Sequence, residues 1–243
     1  MFAKKIHLTF NNPYMLSAEE IKKNAGIYAA DFIKNEITFG LGTGTTVYWL
    51  IQELGKRIKQ GLYITAVPTS NETAQMANKA GIIISDLNSG NRLPFTIDGA
   101  DEIDPNGQLI KGGGGALLKE KIVAAASDNL IIIADNSKLV QKLGKLPLPV
   151  EVVPFGYKQV IQQIMQTGFC KKITLRQKDN EIFITDLSHH ILDCEFEKIE
   201  DASSLNNLLH NIPGVVETGL FINMAGKAVI GYSDGKVEVI TYR

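Results

Sequence analysis

From Ser17 to about Ala134, short apolar runs alternate with stretches of helical periodicity, and this alternation constrains the fold more than any other feature. "SAEEIKKNAGIYAADFI" reads as a helix with Ser17 as N-cap and Glu20, three residues on, as its capping-box partner. "EITFGLG" reads as a buried strand ending in glycine, "TTVYWLIQELGKRI" as a helix, "LYITAV" as a strand, and "NETAQMANKAG" as a helix stopped by Gly81. "IIIS", "FTIDGA" and "LIIIAD" are further strands. When helix follows strand repeatedly, each helix carries the chain back across the sheet. The strands then run parallel, with both faces covered. An α/β fold with a mostly parallel sheet flanked by helices is the expectation.

The pattern changes near "KLGKLPLPVEVVPFG". Pro147, Pro149 and Pro154 break regular structure there and fix extended chain. A helix from Gly156 to Gln166, strands at "KKITLRQ" and "EIFITDL", a helix around Ala202 to Leu209 and then "GVVETGLF" suit a smaller α+β domain. The C-terminal "KAVIGYSDGKVEVITYR" reads as a hairpin turning at Ser233-Asp234-Gly235 and returning to the main sheet. The expected division is residues 1–146 plus 218–243 in the large domain and 147–217 in the small one.

Charge and composition exclude several classes of function. A net charge of −1 offers no basic field for nucleic acid or an anionic membrane. No apolar run approaches a membrane span, and "MFAKKIHLTFNN" has no apolar core of signal-peptide length. Cys170 and Cys194 read as free thiols in a reducing compartment, which points to the cytoplasm.

"GLGTGTTVYWL", from Gly40, is a strand, a glycine-rich turn and a helix start. Such a turn exposes amide N–H groups at a helix N-terminus and suits a phosphate; Thr43, Thr45 and Thr46 add hydroxyls. No lysine follows the glycines as in a P-loop. The third glycine of the dinucleotide fingerprint falls on Thr45, and the later acid is missing from "AVPTSNE". A small phosphorylated metabolite fits better than a nucleotide, although a tight turn without ligand explains the loop almost as well.

"FTIDGADEIDPNGQLIKGG" carries Asp98, Asp101, Glu102 and Asp104. An EF-hand reading fails because its twelfth position is Gly113. "DPNG" reads as a turn, which makes Asp104 a turn residue and Glu102 a solvated one. Asp98 and Asp101 follow a strand at its carboxyl end, where open parallel sheets bind ligands. There they could hold sugar hydroxyls or relay protons.

"IKGGGGALLKEKIVAAA" then places Lys111 and four glycines before an apolar helix. At about 100° per residue, Glu120 falls between Val123 and Ala124 on the helical wheel, among apolar neighbours, as a general base would. Consecutive glycine N–H groups form a nest for a developing oxyanion, and Lys111 adds full positive charge.

"GLGTGTT", "DGADEID", "KGGGGALLKEKIVA", "ADNSKLV", "LPVEVVPFG" and "IPGVVETGLF" occur in this order, and on them the chain closely resembles the type A ribose-5-phosphate isomerases. The resemblance runs from about Ala18 to Gly235. It implies a Rossmann-like α/β domain with a smaller α+β domain, assembled as a homodimer or homotetramer. It implies interconversion of D-ribose 5-phosphate and D-ribulose 5-phosphate in the pentose phosphate pathway, with no metal and no organic cofactor. The family's base falls on Glu120, and Asp98, Asp101 and Lys111 join it as catalytic groups. Its substrate contacts fall on Thr43, Gly44, Thr45 and Thr46, on Asp98, Gly99, Ala100 and Asp101, on Lys111, Gly112, Gly113 and Gly114, and on Lys138. Lys22 matches a lysine lining the phosphate pocket. "GTGTT" replaces the more usual GTGST, and "TDLSHHILD" replaces a TDNGNxILD hairpin, so His189 and His190 are expected as exposed turn residues. A sugar-phosphate sensor, a sugar-phosphate deaminase and an acyl-CoA transferase on the same type of fold are the rival readings. The sensor would need a DNA-binding segment, for which the residues before the first helix are too few.

Overall fold

The computed structural model describes residues 7–8, 15–196 and 199–242. Most of the N-terminal stretch read above as lacking a signal-type core lies outside these residues. The chain forms two compact units. One comprises residues up to Ala100, Lys119–Lys138 and those from Met224 onward; the other comprises Asp101–Leu118 and Leu139–Asn223. No described helix is long and apolar enough to cross a membrane.

Strands are numbered in chain order through both units. The first unit holds an eight-stranded sheet built from β1 (His7–Leu8), β2 (Ile37–Leu41), β3 (Ile64–Pro68), β4 (Ile83–Ile84), β5 (Thr96–Asp98), β8 (Leu130–Asp135), β16 (Ala225–Gly231) and β17 (Val237–Thr241). Their order is β1-β17-β16-β8-β5-β2-β3-β4. Every pairing from β16 to β4 is parallel; β17 and β1 add an antiparallel edge. The C-terminal hairpin does return to the main sheet. Helix α1 (Ala18–Ala29) begins at the expected capping box: the Glu20 N–H donates to Ser17 Oγ at 3.3 Å and the Ser17 N–H to Glu20 Oε2 at 2.8 Å. In α2 (Thr45–Ile58), Val47, Leu50, Ile51 and Leu54 share one face. They are fully buried in a core with Phe39, Leu41, Ile97 and Ile133, each worth about 1.5–3 kcal/mol of burial. Helix α3 (Asn71–Lys79) follows β3, and its Ser70 cap accepts from the Thr73 N–H.

The second unit contains β6 (Glu102–Ile103) and β7 (Leu109–Ile110), β9 (Leu148–Val152), β10 (Cys170–Leu175), β11 (Gln177–Lys178), β12 (Glu181–Ile182), β13 (His190–Phe196), β14 (Val215–Thr218) and β15 (Leu220–Phe221). A four-stranded sheet runs β10-β13-β9-β14, and β6, β7 and β15 form a separate three-stranded one. Helices α5 (Tyr157–Gln166) and α6 (Ala202–His210) pack on the four-stranded sheet through Val160, Ile164, Leu205 and Leu209. Cys170 and Cys194 are buried free thiols of this core. The seams between the units fall at 100/101, 118/119, 138/139 and 223/224. The reason is that β7 pairs with β15, and Ile103 bridges Leu139, so the acidic hairpin packs within the second unit.

Four sequence readings need correction. Only Glu181–Ile182 of "EIFITDL" is strand; the partner of β10 is β13, "HILDCEF". β13 is buried on both faces for most of its length, so the alternation that marks a half-buried strand is missing. Pro149 does not interrupt structure but sits inside β9, where its fixed φ matches extended chain and its carbonyl accepts from the Gly219 N–H at 2.7 Å. Glu102 is 1% exposed, not solvated: its carboxylate caps the backbone N–H groups of Gly144 and Leu146, more than forty residues away. Nor are His189 and His190 exposed turn residues. His190 is buried in β13 with its ring edge-on to Tyr157 at 5.4 Å, and His189 Nδ1 lies 3.0 Å from the buried Glu151. "DPNG" is the turn expected, with Asp104 accepting from the N–H groups of Asn106 and Gln108.

Candidate active site

In the first unit, β2, β5 and β8 are parallel, so their carboxyl ends share one edge of the sheet. Thr43–Thr46, Asp98–Ala100 and Lys138 all lie at or just beyond those ends, where open α/β sheets bind ligands. Gly44 is the N-cap of α2, with φ +123° and ψ 176°, a conformation available to glycine. No cap side chain covers the first-turn amides of this fourteen-residue helix, so they and the helix dipole are available to an anion. Thr45 is exposed and Thr46 buried. The Thr43 hydroxyl is committed elsewhere: it lies 2.8 Å from Thr69 Oγ1, 2.9 Å from Ser70 Oγ and 3.0 Å from Thr73 Oγ1. Thr73 Oγ1 in turn donates to the Gly42 carbonyl at 2.9 Å. This hydroxyl cluster pins the glycine loop from beneath. "PTSNET" supplies it, a stretch read in the sequence for the acid it lacks and for the helix it starts, not for its hydroxyls.

Asp98 is fully buried, and its Oδ1 accepts from the N–H groups of Thr43 at 3.0 Å and Gly99 at 2.7 Å. Only glycine fits at position 42, because a Cβ there would stand 2.1 Å from Asp98 Oδ1. Lys22 lies on α1 with Nζ 4.0 Å from Glu19. It precedes Gly26 by one helical turn on the same face, and a Cβ on Gly26 would stand 2.9 Å from the Thr46 carbonyl. Lys22 is therefore one turn from the contact of α1 with the first turn of α2. Lys138 ends a short helical turn, Asn136–Lys138, directly after β8.

Helix α4 (Leu117–Ala125) carries Glu120 in its first turn. Glu120 is 4% exposed and shares a buried face with Val123 and Ala124. The rest of the helix is less enclosed than its composition predicts, since Ile122 is 48% exposed. Its later turns are anchored on the sheet: Val123 packs with Val67 and Leu93, and the Ser127 hydroxyl lies 2.7 Å from that of Thr96.

In the second unit, Lys111 is 2% exposed, with Nζ 5.3 Å from the centre of the Phe221 ring. The four glycines are not a uniform nest. Gly113 N–H donates to Asp101 Oδ2 at 2.8 Å and Gly115 N–H to the Gly112 carbonyl at 3.0 Å. Gly112 and Gly114 are left with N–H groups that make no hydrogen bond among the described residues. Asp101 is thus a buttress of the loop. Sequence reading missed Arg176, whose Nη1 donates to the carbonyls of Gly112 at 2.7 Å and Gly113 at 3.1 Å while Nε holds Asp193 at 2.9 Å. In a trans peptide N–H and C=O point oppositely. Holding the Gly113 carbonyl therefore directs the Gly114 N–H away from Arg176. Phe183 closes over Gly115, where a Cβ would stand 2.4 Å from its ring. No local pattern around "LRQKD" announces a contact sixty residues away.

The first unit thus offers a helix N-terminus for a phosphate and two buried carboxylates, Asp98 and Glu120. The second offers a buried cation and oriented glycine amides. Among the described residues no group of three or more His, Cys, Asp or Glu side chains could hold a metal ion.

A family model described as ribose 5-phosphate isomerase A (phosphoriboisomerase A) matches residues 65–235. Ribose-5-phosphate isomerase A of Bacillus cereus (strain ATCC 10987 / NRS 248) is 57% identical over 220 residues, covering 90% of this chain and 99% of the relative. The protein of the same name from Bacillus anthracis is 54% identical over 221 residues, covering 90% and 100%. Among solved structures, ribose 5-phosphate isomerase from Plasmodium falciparum superposes with a TM-score of 0.90 at 37% identity, covering 93% of this chain and 99% of the other. A D-ribose-5-phosphate isomerase in complex with phospho-erythronic acid gives 0.88 at 36% identity, covering 93% and 100%.

Proposed function

The chain belongs to the ribose-5-phosphate isomerase A family, and from that premise we infer how its residues divide the work of the reaction. It is an aldose–ketose isomerase that interconverts D-ribose 5-phosphate and D-ribulose 5-phosphate. The phosphate docks on the amides of Gly44–Thr46 and the hydroxyls of Thr45 and Thr46 at the start of α2, in a loop that Thr43 holds from beneath, with Lys22 and Lys138 adding positive charge. Glu120 removes the C2 proton of the open-chain aldose. The electron pair moves into the C1–C2 bond, the carbonyl oxygen becomes an oxyanion, and the result is an enediolate. Glu120 returns the proton to C1, while Asp98 or Asp101 carries a proton between the two oxygens. No external oxidant or reductant enters, because C1 is reduced as C2 is oxidised. Lys111 and the amides of Gly112 and Gly114 stabilise the oxyanion, and the burial of Lys111 makes its charge more effective than in water. Gly99 and Ala100 lend backbone to the substrate's hydroxyl side.

The observation that carries this reading is a glutamate at 4% exposure in the first turn of α4, directly after the glycine loop. General-base work is worth about 10²–10⁴-fold, or roughly 2.7–5.5 kcal/mol of barrier. Glu120→Gln should fold normally and lose that factor in kcat with little change in KM. The assay is ribulose 5-phosphate formation followed by NMR in D₂O, which also reads deuterium uptake at C1 and C2. Near-parental kcat and exchange in the variant would remove Glu120 as the base. The reaction fits the non-oxidative pentose phosphate pathway in the cytoplasm. A homodimer or homotetramer is the assembly we assign, supported by large apolar side chains left exposed on the second unit, Phe155 and Phe169 among them.

A further inference from the structure

Trp49 is the chain's single tryptophan, and no step of the chemistry above uses it. It lies on α2 one turn past Thr45 and Thr46, half-buried. Its indole N–H, a donor only, gives its hydrogen to Glu19 Oε1 on α1 at 2.6 Å. Lys23 Nζ lies 5.2 Å from the centre of the same ring. A Cβ on Gly26 would stand 2.9 Å from Trp49 Cβ, so α1 touches Trp49 there as well. Glu19, Lys22, Lys23 and Gly26 fall at i, i+3, i+4 and i+7, one stripe of α1. Lys22 therefore shares the face that three contacts fix on Trp49. The direction of packing is fixed too. Gly26 sits beside Thr46 and Leu50, while Asp31, just past α1, pairs with Arg57 at 2.8 Å near the end of α2. The two helices run the same way, so Lys22, one turn before Gly26, is level with the start of α2.

We propose that Trp49 is a positioning residue for substrate binding: by clamping Glu19 and Lys23 on either side of Lys22, it sets α1 against α2 so that the Lys22 ammonium reaches the phosphate at the α2 N-terminus. The proposal rests on the phosphate docking there. A lysine needs such a hold because its four-carbon stem is flexible and its charge has no fixed direction. Side chains on a helix lean toward its N-terminus, so the indole reaches from Trp49 toward the turn that takes the phosphate. Glu19 also lies 4.0 Å from Lys22 Nζ, a loose surface ion pair that a phosphate can replace. If Trp49 only packed α1 on α2, its loss would lower stability and leave binding unchanged.

The experiment reads kcat, KM for ribose 5-phosphate and the competitive Ki of inorganic phosphate, which probes the phosphate position alone. Trp49→Phe keeps a ring and removes the donor. It should raise KM and Ki together by roughly 3–10-fold, about the worth of one hydrogen bond, with kcat within about twofold. In a Lys22→Gln background the same change should add nothing, because Trp49 acts through Lys22. Parental KM and Ki in a folded Trp49→Phe, a fall in kcat alone, or a full effect retained without Lys22 overturns the proposal. Should Trp49→Phe fail to fold, Glu19→Leu and Glu19→Gln take its place. Both remove the same charge, but only glutamine leaves an acceptor for the indole. The leucine variant should then show the higher KM and Ki by a similar factor, and equal values overturn the proposal. Lys22→Gln measured by itself separates the two readings. If its Ki is parental, the docking role of Lys22 falls and the clamp falls with it; if its Ki rises while that of Trp49→Phe is parental, only the clamp falls.

Discussion

Replacing Gly42 with alanine should damage the site through geometry alone. A Cβ at position 42 would lie 2.1 Å from Asp98 Oδ1, 2.3 Å from its Cγ and 2.5 Å from its Cα. Rotating the aspartate relieves the first two contacts but not the third, which is backbone. Restoring an ordinary separation of about 3.4 Å from that Cα requires the end of β2 to move from β5 by roughly 0.9 Å. That movement strains the Gly42 N–H bond to the Ile97 carbonyl, 2.8 Å, and the Thr43 N–H bond to Asp98, 3.0 Å. Overpacking of this kind costs about 1–3 kcal/mol, and weakening one such bond about 1 more. At roughly 2–4 °C per kcal/mol for a chain of this length, the midpoint of thermal unfolding should fall by about 4–16 °C. The displacement shifts both the α2 N-terminus and Asp98, so kcat/KM should drop by about 100-fold at a temperature where the variant is still folded. Scanning calorimetry and the ribulose 5-phosphate assay read the two effects. A variant with parental melting and parental kcat/KM would show that the loop and β5 are not locked together as described.

Thr43→Val leaves Thr69, Ser70 and Thr73 without their shared partner, so KM for the sugar phosphate should rise several-fold with a smaller effect on kcat; initial-rate kinetics decide it. Arg176→Met frees the Gly112 and Gly113 carbonyls and should reduce kcat by about 10-fold or more while KM changes little, whereas a rise in KM alone would place the guanidinium's effect on binding. Burial is the largest influence on Glu151 and raises its pKa above the ordinary carboxylate value, against the lowering effect of His189, Thr185 and the Leu118 N–H. The folded state then holds the proton to higher pH than the unfolded state does. Stability from this group is therefore present below the ordinary carboxylate pKa and lost as pH rises through the raised one. Chemical denaturation of the parent should show that decline, and Glu151→Gln should lack it.

Elements whose cause is local were legible in the chain. The Ser17–Glu20 capping box needs four residues, and "TTVYWLIQELGKRI" is a helix over its own length; both stand as read. The strand–helix alternation led correctly to a mostly parallel sheet, because a crossover helix leaves parallel pairing as the outcome. The buried position of Glu120 followed from its neighbours on the helical wheel. Misreadings cluster where a side chain's partner lies far along the chain. Glu102 looked solvated because Gly144 and Leu146, which satisfy it, lie more than forty residues on. "EIFITDL" has a strand's composition, yet Phe183 and Thr185 serve as loop residues covering Gly115 and holding Glu151.

By itself, then, the sequence determined the alternating strands and helices of the first unit, that its sheet is mostly parallel, and that glycine loops lead into two helices. Period, capping and turn chemistry act over a few residues, so they can be read from a few residues. Only the tertiary structure decided which groups remain available and which are committed. It turned Thr43's hydroxyl and Asp101's carboxylate into supports, left two of the four glycine amides without a hydrogen-bond partner among the described residues, and brought Arg176 to the glycine loop. A hydrogen bond depends on distance in space and not on separation along the chain, so these assignments emerge only once strands distant in sequence are packed together.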